Sequence, residues 1–202
     1  MERSNLQKIK LSNYQKVVKQ KDNEDEGLIL ALLLGVTMDT IRNLKQKDLA
    51  QLAEEVREGF EAEPQFIDRF TLDGIEYGFI PKLDDITYGE NKDLSSYISN
   101  WETMHNAMAV AYRPIKQRLG NKYLIEDYEG SSKYADIMKS APLNVVLGMQ
   151  VFFYNLTKEL LKAIPNYLER EVEGRPQISQ ENGEVIKKYI HSLKETLKDL
   201  NQ

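Results

Sequence analysis

Along the first sixty positions, apolar residues fall in short runs separated by polar breaks. That is the pattern of several short helices. Ser12 and Gln15 have capping-box spacing ahead of Val17 and Val18. After the polar stretch Lys21–Glu26, Asn23 and Glu26 are placed to cap a second helix with the body Leu28–Leu34. Gly35 sits where a left-handed helix end costs a glycine least. Thr37 is placed to cap a third helix carrying Met38, Ile41 and Leu44, and Asp48 with Gln51 a fourth carrying Leu49, Leu52, Ala53 and Val56. Seven consecutive apolar residues at 28–34 leave no polar face, so this helix must pack inside a cluster or against a partner.

Beyond Glu61–Pro64, apolar and aromatic residues flank Asp73–Gly74, a pair suited to a two-residue hairpin turn. This predicts strands at 69–72 and 75–80, ended by Pro81. Helical spacing returns from Asp84 to Ile115, with Thr87 and Glu90 as a capping box and Pro114 as the stop. Tyr123–Tyr128 is a strand candidate able to join the hairpin, and Ser131 or Ser132 opens a small helix through Tyr134, Ile137 and Met138. Pro142 suits the first turn of a helix reaching about Ile164, before Pro165, whose apolar residues wrap most of its circumference. A last helix runs from about Ser179 to Leu200, with Ile186, Tyr189, Ile190, Leu193, Leu197 and Leu200 on one stripe. The expected fold is mainly α with a small β-hairpin or three-stranded antiparallel sheet (α+β). The expected division is a helical cluster at 1–60, a hairpin with a helical core at 61–172, and a linker with an amphipathic helix at 173–202.

Composition narrows the chemistry. The 202 residues are 41% hydrophobic and 29% charged, with a formal net charge of -5, so the chain as a whole lacks a basic footprint for nucleic acid. There is no cysteine, which excludes disulfides, thiolate metal sites and cysteine nucleophiles. The two histidines, His105 and His191, have no neighbouring histidine, and His105 lies on a Trp101/Met108 stripe that suits a packed side chain. Glycine-rich phosphate loops, G-x-S-x-G and H-E-x-x-H are all absent. No catalytic, cofactor or metal residues are therefore expected. Met1–Lys10 has no apolar core of the kind a secretory signal needs, and the apolar run Leu143–Leu156 is too short to span a bilayer. The expected location is the cytoplasm, with no membrane partner.

Two features suggest binding. Leu30, Ala31, Leu34, Gly35, Val36, Thr37, Thr40, Ile41 and Leu44 match the spacing of a helix-turn-helix, which would turn Arg42, Asn43 and Lys45 toward DNA. The acidic run at 22–26 opposes that reading, and an ordinary pair of core helices joined by a glycine turn satisfies the same spacing. Separately, Trp101, Met104, Met108 and Tyr112 form one apolar stripe, and Ile186, Ile190, Leu193 and Leu197 another. Either stripe can fold into the core or meet a partner, including a second copy of the chain.

The block Phe70–Glu90, followed by Ala107–Ile115, resembles small proteins of tailed bacteriophages, in particular the tail assembly chaperone-type family. The Leu28–Val56 stretch is similar to the N-terminal helical part of that family, and the likeness covers about 10–165. The resemblance implies a non-enzymatic morphogenesis protein in the host cytoplasm that coats the long hydrophobic tape-measure protein until tail tube subunits replace it. It carries over no catalytic residues. Two alternatives remain: a structural component of the virion, such as a connector or baseplate subunit, and a helix-turn-helix DNA-binding regulator.

Overall fold

The computed structural model describes residues 5–20 and 25–174. The chain divides into two compact units, Met1–Val151 and Phe152–Gln202. Within the first unit the N-terminal helices are tied to later elements. Helix α1 (Leu11–Val18) has no side-chain cap. Its first amides are satisfied by distant carbonyls instead: Leu11 N donates to Ala141 O (2.9 Å) and Ser12 N to Lys139 O (2.8 Å). The Ser12/Gln15 capping box predicted from the sequence is thus replaced by a tertiary contact that satisfies the same orphan donors.

Helix α2 (Glu26–Leu34) is capped by Asp25, whose carboxylate accepts from Leu28 N, so the cap lies two residues after the expected Asn23. Gly35 closes α2 at φ 67°, as its position suggested. A side chain there would also strike Asn13, whose amide donates to Leu33 O at 3.1 Å. Thr37 caps the five-residue α3 (Met38–Arg42). Helix α4 (Gln46–Glu61) begins ahead of Asp48, with Lys45 at the cap position and no side-chain hydrogen bond there. Asp48 then lies in the first turn, where its charge favours the helix dipole.

The mainly helical fold holds a four-stranded antiparallel sheet in the order β1-β2-β3-β4. Strands β1 (Arg69–Leu72) and β2 (Ile75–Phe79) form the predicted hairpin, with Leu72 opposite Ile75 across Asp73–Gly74. Asp73 itself takes a positive φ of 50°. Strand β3 (Tyr112–Leu119), whose first residues Tyr112–Ile115 fall at the end of the expected helix, joins the hairpin to β4 (Lys122–Ile125).

The long helix expected over 84–115 is therefore divided. Helix α5 (Tyr88–Tyr97) opens with the predicted Thr87/Glu90 capping box. A 3-10 turn at Trp101–Thr103 follows, where Asn100 accepts from Glu102 N and the Thr103 hydroxyl donates to Tyr97 O. Such local side-chain bonds compete with helix continuation. Helix α6 (Met104–Ala111) then gives way to β3 at Tyr112, two residues before Pro114, because the residue preceding a proline is driven to extended backbone. Pro114 fits inside the sheet because its carbonyl side faces the end of β4. Glu126 N bonds Pro114 O at 2.9 Å, past the last β4 residue, so the missing N–H falls where the ladder stops.

Helix α7 (Ser132–Met138) follows, and α8 spans Leu143–Gly174. The expected stop before Pro165 does not occur. A proline deletes one internal hydrogen bond but need not end a helix that continues on both sides.

The core of the first unit centres on α6. Met104, Ala107, Met108, Val110, Ala111 and Tyr112 are fully enclosed, as are Tyr77, Met138, Leu143, Val146 and Met149. The alanines let α5 and α7 pack closely on this helix. Gly148 of α8 is a point of close backbone approach. A Cβ there would lie 2.2 Å from Gln65 O, so the backbone at 65–66 lies directly on the helix.

Candidate interaction surfaces

The stripe Trp101/Met104/Met108/Tyr112 is not a docking face in this fold. Met104 and Met108 on α6, which packs against α5 and α7, and Tyr112 at the start of β3 have no exposed surface. Tyr112 is held further by its hydroxyl, which donates to Ile67 O at 2.7 Å, and by edge contacts with Phe70 and Phe79, both at 5.3 Å. Burial pushes its phenol pKa well above the ordinary value. Trp101 alone of the four is half-buried. It packs edge-on against Tyr14 at 4.5 Å, and Gln15 Nε2 donates to its carbonyl at 2.6 Å. Gln15 also reaches His105 Nδ1 at 3.2 Å, and burial lowers the His105 pKa, favouring the neutral ring.

Arg42, Asn43 and Lys45 are exposed, yet they do not form a recognition helix. Helix α3 ends at Arg42 after five residues, Asn43 is its C-cap, and Lys45 belongs to the cap of α4. Asp39 sits 3.8 Å from Arg42 and offsets its charge. The core-helix reading of this segment accounts for the geometry, since Leu30, Ala31, Leu33 and Ile41 are buried.

Sequence spacing gave no hint of the most buried charges. Glu90 and Arg113 pair at 2.6 Å with side chains only 6–7% exposed. Glu90 Oε2 also accepts from Thr87 N at 2.7 Å. Burial pushes the Glu90 carboxyl up, but hydrogen bonds from Thr87 and the charge of Arg113 outweigh it and hold the pKa below the usual value. Arg113 Nη1 donates to Val110 O, and the guanidinium lies over the Tyr128 ring at 5.5 Å. Tyr128 in turn donates to Asp93. The second polar cluster joins Glu126 to Tyr134 and Lys133, with Lys133 also 3.1 Å from Glu129. Glu90 pairs with Arg113 in the first cluster, and Lys133 with Glu126 and Glu129 in the second. Among the described residues, no group of three or more His, Asp or Glu is arranged to hold a metal ion, and no helix is long and apolar enough to cross a membrane.

Exposed large apolar residues are scattered over the described residues, from Val36 and Leu44 through Phe60, Phe66 and Tyr88 to Ile137, with further ones at the sheet and on α8. At the sheet, Ile75, Leu119 and Leu124 are exposed, and β1 and β4 are the two edge strands. On α8 the burial changes along the helix. Leu143, Val145, Val146 and Met149 are core. Farther along, Leu160 is 58%, Ile164 43% and Tyr167 63% exposed. With Phe153 and Thr157 these three repeat at alternating steps of four and three, the spacing of a coiled-coil seam. That spacing was readable in the sequence but was masked by the other apolar residues around the helix. Ile186, Ile190, Leu193 and Leu197 lie outside the described residues.

No protein-family model, curated protein or solved structure matches the chain significantly.

Proposed function

We propose that this is a non-enzymatic phage morphogenesis protein, a tail assembly chaperone that holds the tape-measure protein through helix-to-helix contact. The observation that carries the reading is the seam on α8. A holdase for a long apolar helix needs an apolar helical face of its own, and Leu160, Ile164 and Tyr167 supply one at the required spacing. The pairing of the buried charges Glu90 and Arg113 with each other fits a role without bond-making chemistry. Co-expression with a helical tape-measure fragment tests the proposal. The expected result is a soluble complex that co-purifies; a fragment that stays insoluble and is not retained refutes it.

One observation favours the second reading, a connector or baseplate subunit of the virion. The edge strand β4, with Leu119 and Leu124 exposed beside it, is a site at which a neighbouring subunit could add a strand. Mass spectrometry of purified particles separates the two readings, because a chaperone leaves and a subunit stays.

A further inference from the structure

We propose that the outer edge of β4 pairs with the same edge of a second copy of the chain, in one register, joining the two sheets into one. The ladder sets which backbone groups are free. Glu126 N donates to Pro114 O at 2.9 Å, and Leu119 lies opposite Lys122 across the Gly120–Asn121 turn. Residues 122, 124 and 126 therefore turn their backbone groups toward β3, and Tyr123 and Ile125 turn theirs outward. The Tyr123 ring does not cover this edge. It leans inward across Gly78, and its hydroxyl donates to Phe79 O at 2.9 Å. Side chains alternate in the same way. Tyr123 lies on the Gly78 face of the sheet, and Ile125 shares that face. Lys122, Leu124 and Glu126 take the other face, where Tyr134 meets both Tyr77 and Glu126.

A two-fold axis normal to the sheet keeps each face on its own side, so only residues of the same face come opposite one another. Two registers then bring the outward groups of Tyr123 and Ile125 into reach. The one centred on Tyr123 sets Lys122 against Leu124 of the second copy, a charge against an apolar side chain. The one centred on Leu124 sets Lys122 against Glu126 of the second copy, and the reverse. It also places Leu124 against its own counterpart on the axis, and makes Tyr123 and Ile125 a hydrogen-bonded pair on each side. The charges select this second register. Lys122 has no ion-pair partner among the described residues, whereas Lys116 and Arg118 on the neighbouring strand are taken by Asp127 and Glu76. At the other end of β4, Glu126 and Glu129 share the single cation Lys133, which leaves negative charge in excess there. A lysine on an edge strand ordinarily discourages pairing; here it admits the one register in which it meets a carboxylate. Leu124, 60% exposed, is covered on the axis. Strand β4 has only 4 residues, so the contact falls short of the about 800 Å² per partner of a standard interface, and the dimer is weak. The pairing goes beyond both functional readings: it names the neighbour for an edge that the virion reading opens to any subunit.

Sedimentation velocity of the full-length protein, from roughly micromolar to millimolar concentration, should show a reversible dimer. Lys122→Glu should weaken association about tenfold or more, and so should Glu126→Lys, because each sets like charges opposite one another on both sides of the axis. An equimolar mixture of the two variants should recover a dimer containing one copy of each, since both opposed pairs then carry opposite signs. Circular dichroism checks that each variant is folded. The absence of cysteine from the chain permits a second measurement that does not depend on Glu126→Lys. Under mild oxidation, Leu124→Cys should form a disulfide-linked dimer about tenfold faster than Leu119→Cys, because only position 124 meets its own counterpart. Exposure alone predicts the reverse order, since Leu119 is 79% exposed. A monomer at every concentration overturns the proposal. So do a dimer indifferent to Lys122→Glu, folded charge variants that stay apart when mixed, and equal cross-linking at 124 and 119. No client or particle is present in these measurements, so their failure leaves both readings of function standing, and failure of the co-purification leaves the dimer standing.

Discussion

Glu90→Gln is the most informative single change to the first unit. The Glu90–Arg113 pair is closed from solvent, so removing one charge leaves the other buried without compensation, which costs about 3–5 kcal/mol. The glutamine oxygen can still accept from Thr87 N, which retains about 1 kcal/mol and sets the expectation near the lower end of that range. Urea unfolding followed by the fluorescence of Trp101, the single tryptophan of the chain, reports on the unit that contains the pair. At pH 7 the midpoint should fall by roughly 1–2 M. The pH dependence has a definite sign. A carboxyl whose folded pKa is lowered contributes stability above its unfolded value of 4.5 and loses it as pH falls below that value through the folded pKa. The wild-type protein should therefore lose stability faster than Glu90→Gln below about pH 4.5. The double variant Glu90→Gln with Arg113→Met should recover part of the loss. A midpoint shift under roughly 0.3 M, or single effects that simply add, would refute the view that this pair is buried and coupled.

Met108→Ala should destabilise the first unit by about 2–5 kcal/mol in the same urea assay, since it opens a cavity at a fully enclosed position. A near-neutral result would restore this side chain to the surface. Gly148→Ala forces the backbone at Gln65 away from α8 and should cost about 1–3 kcal/mol, whereas the same change at the open turn residue Gly120 should not create such a collision. Arg42→Ala with Lys45→Ala should leave any retention on duplex DNA and its salt dependence unchanged, because these residues do not form a groove-reading helix; a binding loss specific to this pair would revive the regulator reading.

What the sequence disclosed depended on whether the cause was local. The Asp73–Gly74 hairpin, the Gly35 helix end and the Thr87/Glu90 capping box each depend on a few neighbouring residues, and each is present. Strand β3 was hidden because Met104, Met108 and Tyr112 continue a helical spacing, while the backbone turns extended ahead of Pro114 and finds β2 waiting as a partner. The caps of α1 and α4 were misplaced for the same reason: carbonyls at 139 and 141 satisfy α1, and α4 starts with no side-chain cap at all. Periodicity marked Trp101, Met104, Met108 and Tyr112 as one face but carried no information about what the face meets. Glu90 and Arg113 are far apart in sequence, and only the packing of α5 against α6 and β3 brings them together. The seam on α8 was legible as spacing, but spacing does not reveal that Leu160, Ile164 and Tyr167 are exposed.

Hydrogen exchange on the full-length protein, with and without a helical tape-measure fragment, measures where the client rests. Slowed exchange or changed side-chain protection centred on 153–167, abolished by Leu160→Lys with Ile164→Lys, is the outcome expected of a chaperone working through the α8 seam. Protection confined to the first unit, or none anywhere at saturating fragment, would contradict it.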